Sequence, residues 1–123
     1  MIRLDHLAIP VSDERRSRDW YVRCFGFEVE FEIPERGTVA LRDDADLTLF
    51  LGRDAAAAAR PTCVLTFQVD DVEKKFAELN GRGVAFEKPP QRLVWGYGAE
   101  LRDPDGYLIC LWDERSMREK GGS

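Results

Sequence analysis

The chain has 123 residues, a net charge of −5, one histidine and three cysteines. This length fits one domain of ordinary size, and 44% hydrophobic with 33% charged residues is typical of a soluble globular protein. The acidic balance argues against a nucleic-acid partner, because a nucleic-acid-binding protein needs a cationic surface.

The sequence also argues against membrane and disulfide-bonded classes of protein. No apolar run approaches the roughly 20 residues that cross a bilayer, and the N-terminus lacks the apolar segment of a signal peptide. Cys24, Cys63 and Cys110 are odd in number and far apart, which is typical of reduced thiols. We therefore expect a cytoplasmic protein without a membrane partner.

The alternation of apolar and polar residues predicts a strand, a helix and three more strands in the first half of the chain. Ser12 is positioned to cap the helix, and Gly26 to end it. The predicted strands are 4–11, 27–33, 38–42 and 47–51.

The second half shows the same order of elements. Asp70 is the predicted cap of its helix, because Glu73 follows at the capping-box spacing. Lys88-Pro89-Pro90 is expected to begin a loop, and the polar tail beyond Trp112 is expected to fray. The predicted strands are 62–69, 84–87, 97–102 and 107–112.

The two halves form an internal repeat. Val11-Ser12-Asp13 corresponds to Val69-Asp70-Asp71 about 58 residues later. The predicted fold class is α+β, with one domain over residues 1–113 made of two tandem βαβββ modules. The modules are 2–54 and 61–113, the linker is 55–60 and the polar tail is 114–123.

Three stretches give the chain a family resemblance. They are Asp5 to Asp13, Trp20-Tyr21 followed by Phe25-Gly26-Phe27, and Arg102 to Trp112. In this order they resemble the vicinal oxygen chelate superfamily, which includes glyoxalase I, bleomycin-resistance proteins and extradiol dioxygenases. The resemblance implies a U-shaped mixed sheet around a pocket, with helices on the outer face, and a homodimer.

Many members of that superfamily bind a divalent metal through His, Gln or Glu. The resemblance carries the four ligand positions onto His6, Phe50, Val64 and Cys110. Phe50 and Val64 have no donor atom, and a stable site needs three or four donors. The expectation is therefore a protein with no metal and no other cofactor, and the alternative is a weakly held divalent metal.

The resemblance and the strand alternation together nominate residues for a ligand pocket. His6 and Glu100 are the candidate catalytic residues, as acid and base. Each has a plainer interpretation: His6 as a hydrogen-bonded structural residue, and Glu100 as an outward ion-paired residue. The candidate ligand-binding residues are His6, Phe50, Thr66, Trp95, Tyr97, Glu100, Cys110 and Trp112.

Three functions remain open from the sequence. The first is a metal-independent protein that binds a small molecule, resembling the antibiotic-sequestering branch of the superfamily. The alternative is an enzyme (a lyase, isomerase or dioxygenase-like protein) that uses His6 and Glu100 or a weakly held metal. The third is a scaffold whose pocket is filled by its own side chains.

Overall fold

A computed structural model describes residues 1–122 and divides the chain into two compact units, the first ending at Pro61 and the second beginning at Thr62. Each unit contains a four-stranded mixed sheet with a helix after its first strand. The α+β class and the tandem βαβββ repeat are thereby confirmed. In the part of the chain that the structure describes, no helix is long and apolar enough to cross a membrane.

Unit 1 is a sheet in the order β1-β4-β3-β2, in which β1 runs parallel to β4 and the other pairs are antiparallel. Its core contains Ile9, Val11 and Leu51 from the strands and Tyr21 from the helix, all buried. The elements are β1 His6–Val11, α1 Glu14–Phe25, β2 Glu28–Ile33, a 3₁₀ turn Pro34–Arg36, β3 Thr38–Arg42, β4 Thr48–Arg53 and α2 Ala55–Ala58.

Unit 2 repeats this arrangement in the order β5-β8-β7-β6, with β5 parallel to β8. Leu101, Ile109 and Leu111 alternate along its strands and are fully or nearly fully buried, together with Leu79 of the helix. The elements are β5 Val64–Gln68, α3 Val72–Gly81, β6 Phe86–Leu93, β7 Gly96–Arg102, β8 Leu108–Trp112 and α4 Glu114–Lys120.

Both predicted helix caps are wrong by one residue. The carboxylate of Asp13, not the hydroxyl of Ser12, accepts hydrogen bonds from the first turn of α1, at 3.0 Å from Arg15 N and 3.2 Å from Arg16 N. In α3 the cap is Asp71 rather than Asp70, because Asp71 Oδ1 accepts from Lys74 N at 3.0 Å. Each helix therefore begins one residue later than the sequence pattern indicated.

The segment Lys88-Pro89-Pro90 lies within a strand and not in the predicted loop. It is the middle of β6, the edge strand of the unit 2 sheet. Proline removes a backbone donor, which an edge strand tolerates, and the pairing with β7 shifts register on both sides of Lys88.

The tail beyond Trp112 forms helix α4 where fraying was expected. Asp113 caps it by accepting from Ser116 N at 2.6 Å, and the same carboxylate accepts from Val72 N at the start of α3 at 2.6 Å. Although burial opposes ionisation, these hydrogen bonds lower the pKa of Asp113 below its usual value. One buried carboxylate thus holds two helix N-termini together; Ser123, the last residue of the predicted tail, lies outside the described residues.

Candidate functional site

The candidate site is built on the face of the unit 2 sheet that carries Thr66, Cys110 and Glu100, which we call the open face. Pairing places Thr66 opposite Cys110, Cys110 opposite Glu100, and Glu100 opposite Lys88. Because directly paired residues point to the same side of a sheet, these four side chains form a row across all four strands. The opposite face carries the buried Ala99, Leu101 and Ile109.

Glu100 is the most deeply placed charge in this row. Its side chain keeps 13% of its exposure, and its Oε2 accepts a hydrogen bond from Trp95 Nε1 at 2.8 Å. The Nζ atom of Lys88 lies 3.8 Å from Oε1, which is an ion pair but too long for a hydrogen bond. Glu100 is therefore a partly buried carboxylate on the open face, bonded to an aromatic side chain.

Trp95 lies in the turn between β6 and β7 and is half-buried. A Cβ atom at Gly98 would collide with Cη2 of the Trp95 indole and with the carbonyl oxygen of Leu111. The absence of a side chain at Gly98 therefore lets the indole lie against β7. Trp95 is fixed at both ends, by the contact with Gly98 and by its hydrogen bond to Glu100.

Cys110 is buried between these polar groups, with 4% of its surface exposed. Burial, and then the neighbouring Glu100 carboxylate, raise the pKa of its thiol, while a hydrogen bond with Thr66 acts in the opposite direction. The side chain is therefore a neutral thiol at neutral pH. A neutral thiol is a poor nucleophile.

The remaining unit 2 candidates divide between the two faces of the sheet. Trp112 is half-buried on the same side of β8 as Cys110 and is paired with Gln68. Tyr97 lies on the opposite side of β7, where its hydroxyl donates to Glu73 of α3 and its backbone N donates to Met117 Sδ of α4 at 3.4 Å. The bond to Glu73, and then burial, raise the pKa of Tyr97 to about 12. The structure therefore does not bring Tyr97 to the surface that carries Trp95 and Glu100.

The two candidates in unit 1 contact each other. The rings of His6 and Phe50 are 4.4 Å apart between centroids, and Phe31 meets Phe50 edge-on at 5.6 Å. His6 Nδ1 lies 3.0 Å from Asp5 Oδ2, and both side chains are exposed. His6 and Glu100, the predicted acid and base, thus belong to different units, and each has its own partners.

A cleft of about 240 Å³ lies elsewhere on unit 1 and involves none of the predicted site residues. Two of its charges are paired with each other, because Arg18 donates to Glu32, and Arg18 also donates to Asp19 outside the cleft. The lining residues are Glu14, Arg15, Arg18, Glu32, Pro34, Thr38 and Val39.

The donor set for a metal ion does not fit the superfamily pattern. Of the four positions, Phe50 and Val64 offer no donor atom, which leaves His6 and Cys110, fewer than the three or four donors that a stable site needs. Within residues 1–122 there is no group of three or more His, Cys, Asp or Glu side chains that could hold an ion.

Two residues that shape the open face were not among the sequence candidates. Lys88 was assigned to a loop, so its pairing with Glu100 was not expected. Gly98 lies in the predicted strand 97–102 but was not a site candidate, whereas it provides the space for Trp95. Extending the predicted strand through the two prolines would have identified Lys88; no local signal identifies the role of Gly98.

The fold and sequence match known proteins over nearly the whole chain. TnmS3, an antibiotic binding protein from Streptomyces sp. CB03234, is 30% identical with a TM-score of 0.76, over 92% of this chain and 96% of that one. A glyoxalase/bleomycin resistance protein/dioxygenase superfamily member from Sphaerobacter thermophilus DSM 20745 is 26% identical, with a TM-score of 0.75 over 93% and 98% of the two chains.

A third relative and a family model agree with these structures. The uncharacterized protein YraH of Bacillus subtilis (strain 168) is 26% identical over 125 residues, which are 90% of this chain and 98% of YraH. The model of the Glyoxalase/Bleomycin resistance protein/Dioxygenase superfamily matches residues 3–111. The chain therefore belongs to this superfamily, as its sequence motifs indicated.

Proposed function

We propose that this protein binds a small planar molecule on the open face of its unit 2 sheet, without a metal. The observation that carries the proposal is the Trp95–Glu100 pair, a fixed aromatic ring joined to a partly buried carboxylate. An aromatic surface with a few placed polar groups is the usual composition of a small-molecule site. Thr66 and Trp112 extend the same face on either side of Cys110.

The likeness to TnmS3 supports binding as the activity. That protein is described as an antibiotic binding protein, and it shares 30% identity with this chain over most of both lengths. We infer a similar binding role here. Cys110, as a neutral buried thiol, would supply apolar contact rather than chemistry.

Metal independence is proposed from the chemistry of the donor positions. Phe50 and Val64 cannot coordinate an ion, so at most two of the four inherited positions could. Elemental analysis of the purified protein after dialysis tests this point. Stoichiometric zinc, nickel, iron or manganese that survives dialysis would contradict it.

The assembly and location of the protein follow as further proposals. We infer a homodimer in the cytoplasm, with no nucleic-acid partner. The three cysteines are free thiols, which supports a reducing compartment. Light scattering that gives a mass near 14.1 kDa at working concentrations would contradict the dimer.

A thermal-shift screen with metabolites and antibiotics tests the binding proposal, and calorimetry then gives the affinity of the hits. We expect Trp95→Leu to weaken binding of a hit about tenfold or more, because the stacking surface is lost. Val94→Ala is the matched control, since Val94 is fully exposed in the same turn. Equal losses in both variants, or none in either, would contradict the proposed binding surface.

An enzyme that uses Glu100 as an acid or base is the second candidate function. The observation in its favour is that Glu100 is a partly buried carboxylate with an acceptor atom facing the proposed ligand surface. Following each hit by NMR over hours with catalytic amounts of protein separates the two functions. Conversion of the hit that Glu100→Gln abolishes would establish the enzyme, and unchanged hits support binding alone.

A further inference from the structure

We propose that the ligand of the open face carries a protonated amine beside its planar ring, and that this ammonium group binds Oε1 of Glu100. The inference rests on the proposed function, because it names the chemical class of the ligand for the same surface. The observation behind it is that the two carboxylate oxygens of Glu100 have partners at different distances, one hydrogen-bonded and one not.

The two oxygens differ in what they accept. Oε2 receives the indole N–H of Trp95 at 2.8 Å. Among residues 1–122, the partner of Oε1 is the Lys88 ammonium, at 3.8 Å, which is beyond hydrogen-bonding distance. A carboxylate has about four acceptor positions, so most of the capacity of Oε1 is available to a ligand.

Burial makes that unused capacity costly. The Glu100 side chain keeps only 13% of its exposure, whereas the Lys88 side chain is 53% exposed. A negative charge that has lost most of its water gains more from a direct charged donor than from a distant, solvated one. An ammonium group at about 2.8 Å would form the short charge-assisted bond that Lys88 does not form.

Two neighbouring groups on this face do not take the place of the ligand at Oε1. Arg102 points along the same face but is held by Glu87 at 2.6 Å and by the carbonyl of Gly106 at 3.1 Å. Cys110 is a neutral thiol.

Substitutions of Lys88 and of Glu100 are predicted to have opposite effects on ligand binding. The ammonium group of Lys88 lies 3.8 Å from the same oxygen that the ligand would use, so it repels a second ammonium group bound there. Removing the charge of Lys88 should therefore increase the affinity for an amine ligand, whereas removing the charge of Glu100 should decrease that affinity. A purely structural role for the Lys88–Glu100 pair does not predict opposite effects.

Calorimetric titration with three matched probes tests the inference: 2-naphthylmethylammonium, 2-naphthylmethanol and 2-naphthoate. We expect the ammonium compound to bind about tenfold more tightly than the alcohol, and naphthoate most weakly. Glu100→Gln should remove this tenfold preference, and Lys88→Met should strengthen ammonium binding several-fold. Glu28→Gln and Lys75→Met are the matched controls, because these residues pair with Arg42 and Glu78 instead.

The indole N–H signal of Trp95 in NMR locates the binding, since that proton bonds to Glu100. Equal affinity for the ammonium compound and the alcohol, unchanged in Glu100→Gln, would overturn the inference and leave the proposed binding function intact. Failure of all three probes to bind or to shift the Trp95 signal would overturn both the inference and the proposed surface. Melting temperatures of each variant confirm that the comparison is between folded proteins.

Discussion

Among individual residues, the cysteines show how environment decides chemistry. Cys24 and Cys110 are buried at 3% and 4% exposure, whereas Cys63 is exposed. Burial and the Glu100 carboxylate raise the pKa of Cys110 further, so its thiolate fraction at pH 8 is small. The only feature that distinguishes the three in the sequence is their position in the strand and helix patterns.

We therefore expect one of the three cysteines to react in the folded protein. Iodoacetamide at pH 8 should add a single group, on Cys63, and three groups after unfolding in guanidinium chloride. Mass spectrometry of the modified protein counts the additions. The Cys63→Ser variant should remain unmodified while folded, and alkylation of Cys110 as fast as Cys63 would contradict the burial that places it within the sheet.

The open face was predictable only in part. Alternation along the strands predicts that Thr66 and Cys110 share a face, as their direct pairing shows, but it left open the side to which Glu100 points. The Trp95–Glu100 hydrogen bond was not predictable, because it depends on the turn between β6 and β7 and on the space at Gly98. The same alternation separates Tyr97 from Glu100, which counting residues along β7 would have shown.

For the helices and strands, the repeat and the βαβββ order follow from the periodic apolar pattern. The helix starts were wrong because each cap has two adjacent candidates, Ser12-Asp13 and Asp70-Asp71. Helix α4 was missed because it has no apolar stripe. It is held by Asp113 and by Met117, whose side chain contacts Gly96 and Gly121, and these contacts arise only in the folded chain.

The position of the α3 cap can be tested by paired substitutions. Asp71→Ala should lower the free energy of unfolding by about 1 kcal/mol, because the Lys74 N–H loses its acceptor. Asp70→Ala should change it by only a few tenths, because Asp70 is exposed and precedes the cap. Urea unfolding of the two variants measures the difference. A larger loss of unfolding free energy for Asp70→Ala than for Asp71→Ala would show that Asp70 is the cap, as the capping-box spacing predicted.

The joint cap of α3 and α4 makes stability depend on pH. The folded-state pKa of Asp113 is lowered, so its ionised form stabilises the fold above the unfolded value near 4. This contribution is lost as the pH falls through the folded-state pKa. Asp113→Asn should cost about 1–2 kcal/mol at pH 7 by loss of the charge-assisted bonds, and the difference from the original protein should shrink in acid.

Thermal or urea unfolding of both proteins between pH 7 and pH 3 measures this trend. Asp105→Asn is a suitable control, since Asp105 caps no helix and is only half-buried. A penalty for Asp113→Asn that stays constant down to pH 3 would show that packing, not charge, holds the two helices.

At the level of the whole molecule, two units of the same topology carry different side chains on corresponding strands. The first strand has His6 and the last strand of unit 2 has Cys110, while Phe50 and Val64 occupy the other two inherited positions. The superfamily fold is thus retained with a donor set that does not suit a metal ion. The binding surface that we propose is built instead on Trp95 and Glu100 of unit 2.

The most direct test of this account is calorimetric titration of a screened ligand into protein that has been treated with a chelator and dialysed. We predict one saturable binding event per chain or per dimer, with the same Kd before treatment, after treatment and after adding zinc or manganese. The Trp95→Leu variant should lose that event in every condition. Binding that disappears with the chelator and returns with the metal would contradict the account.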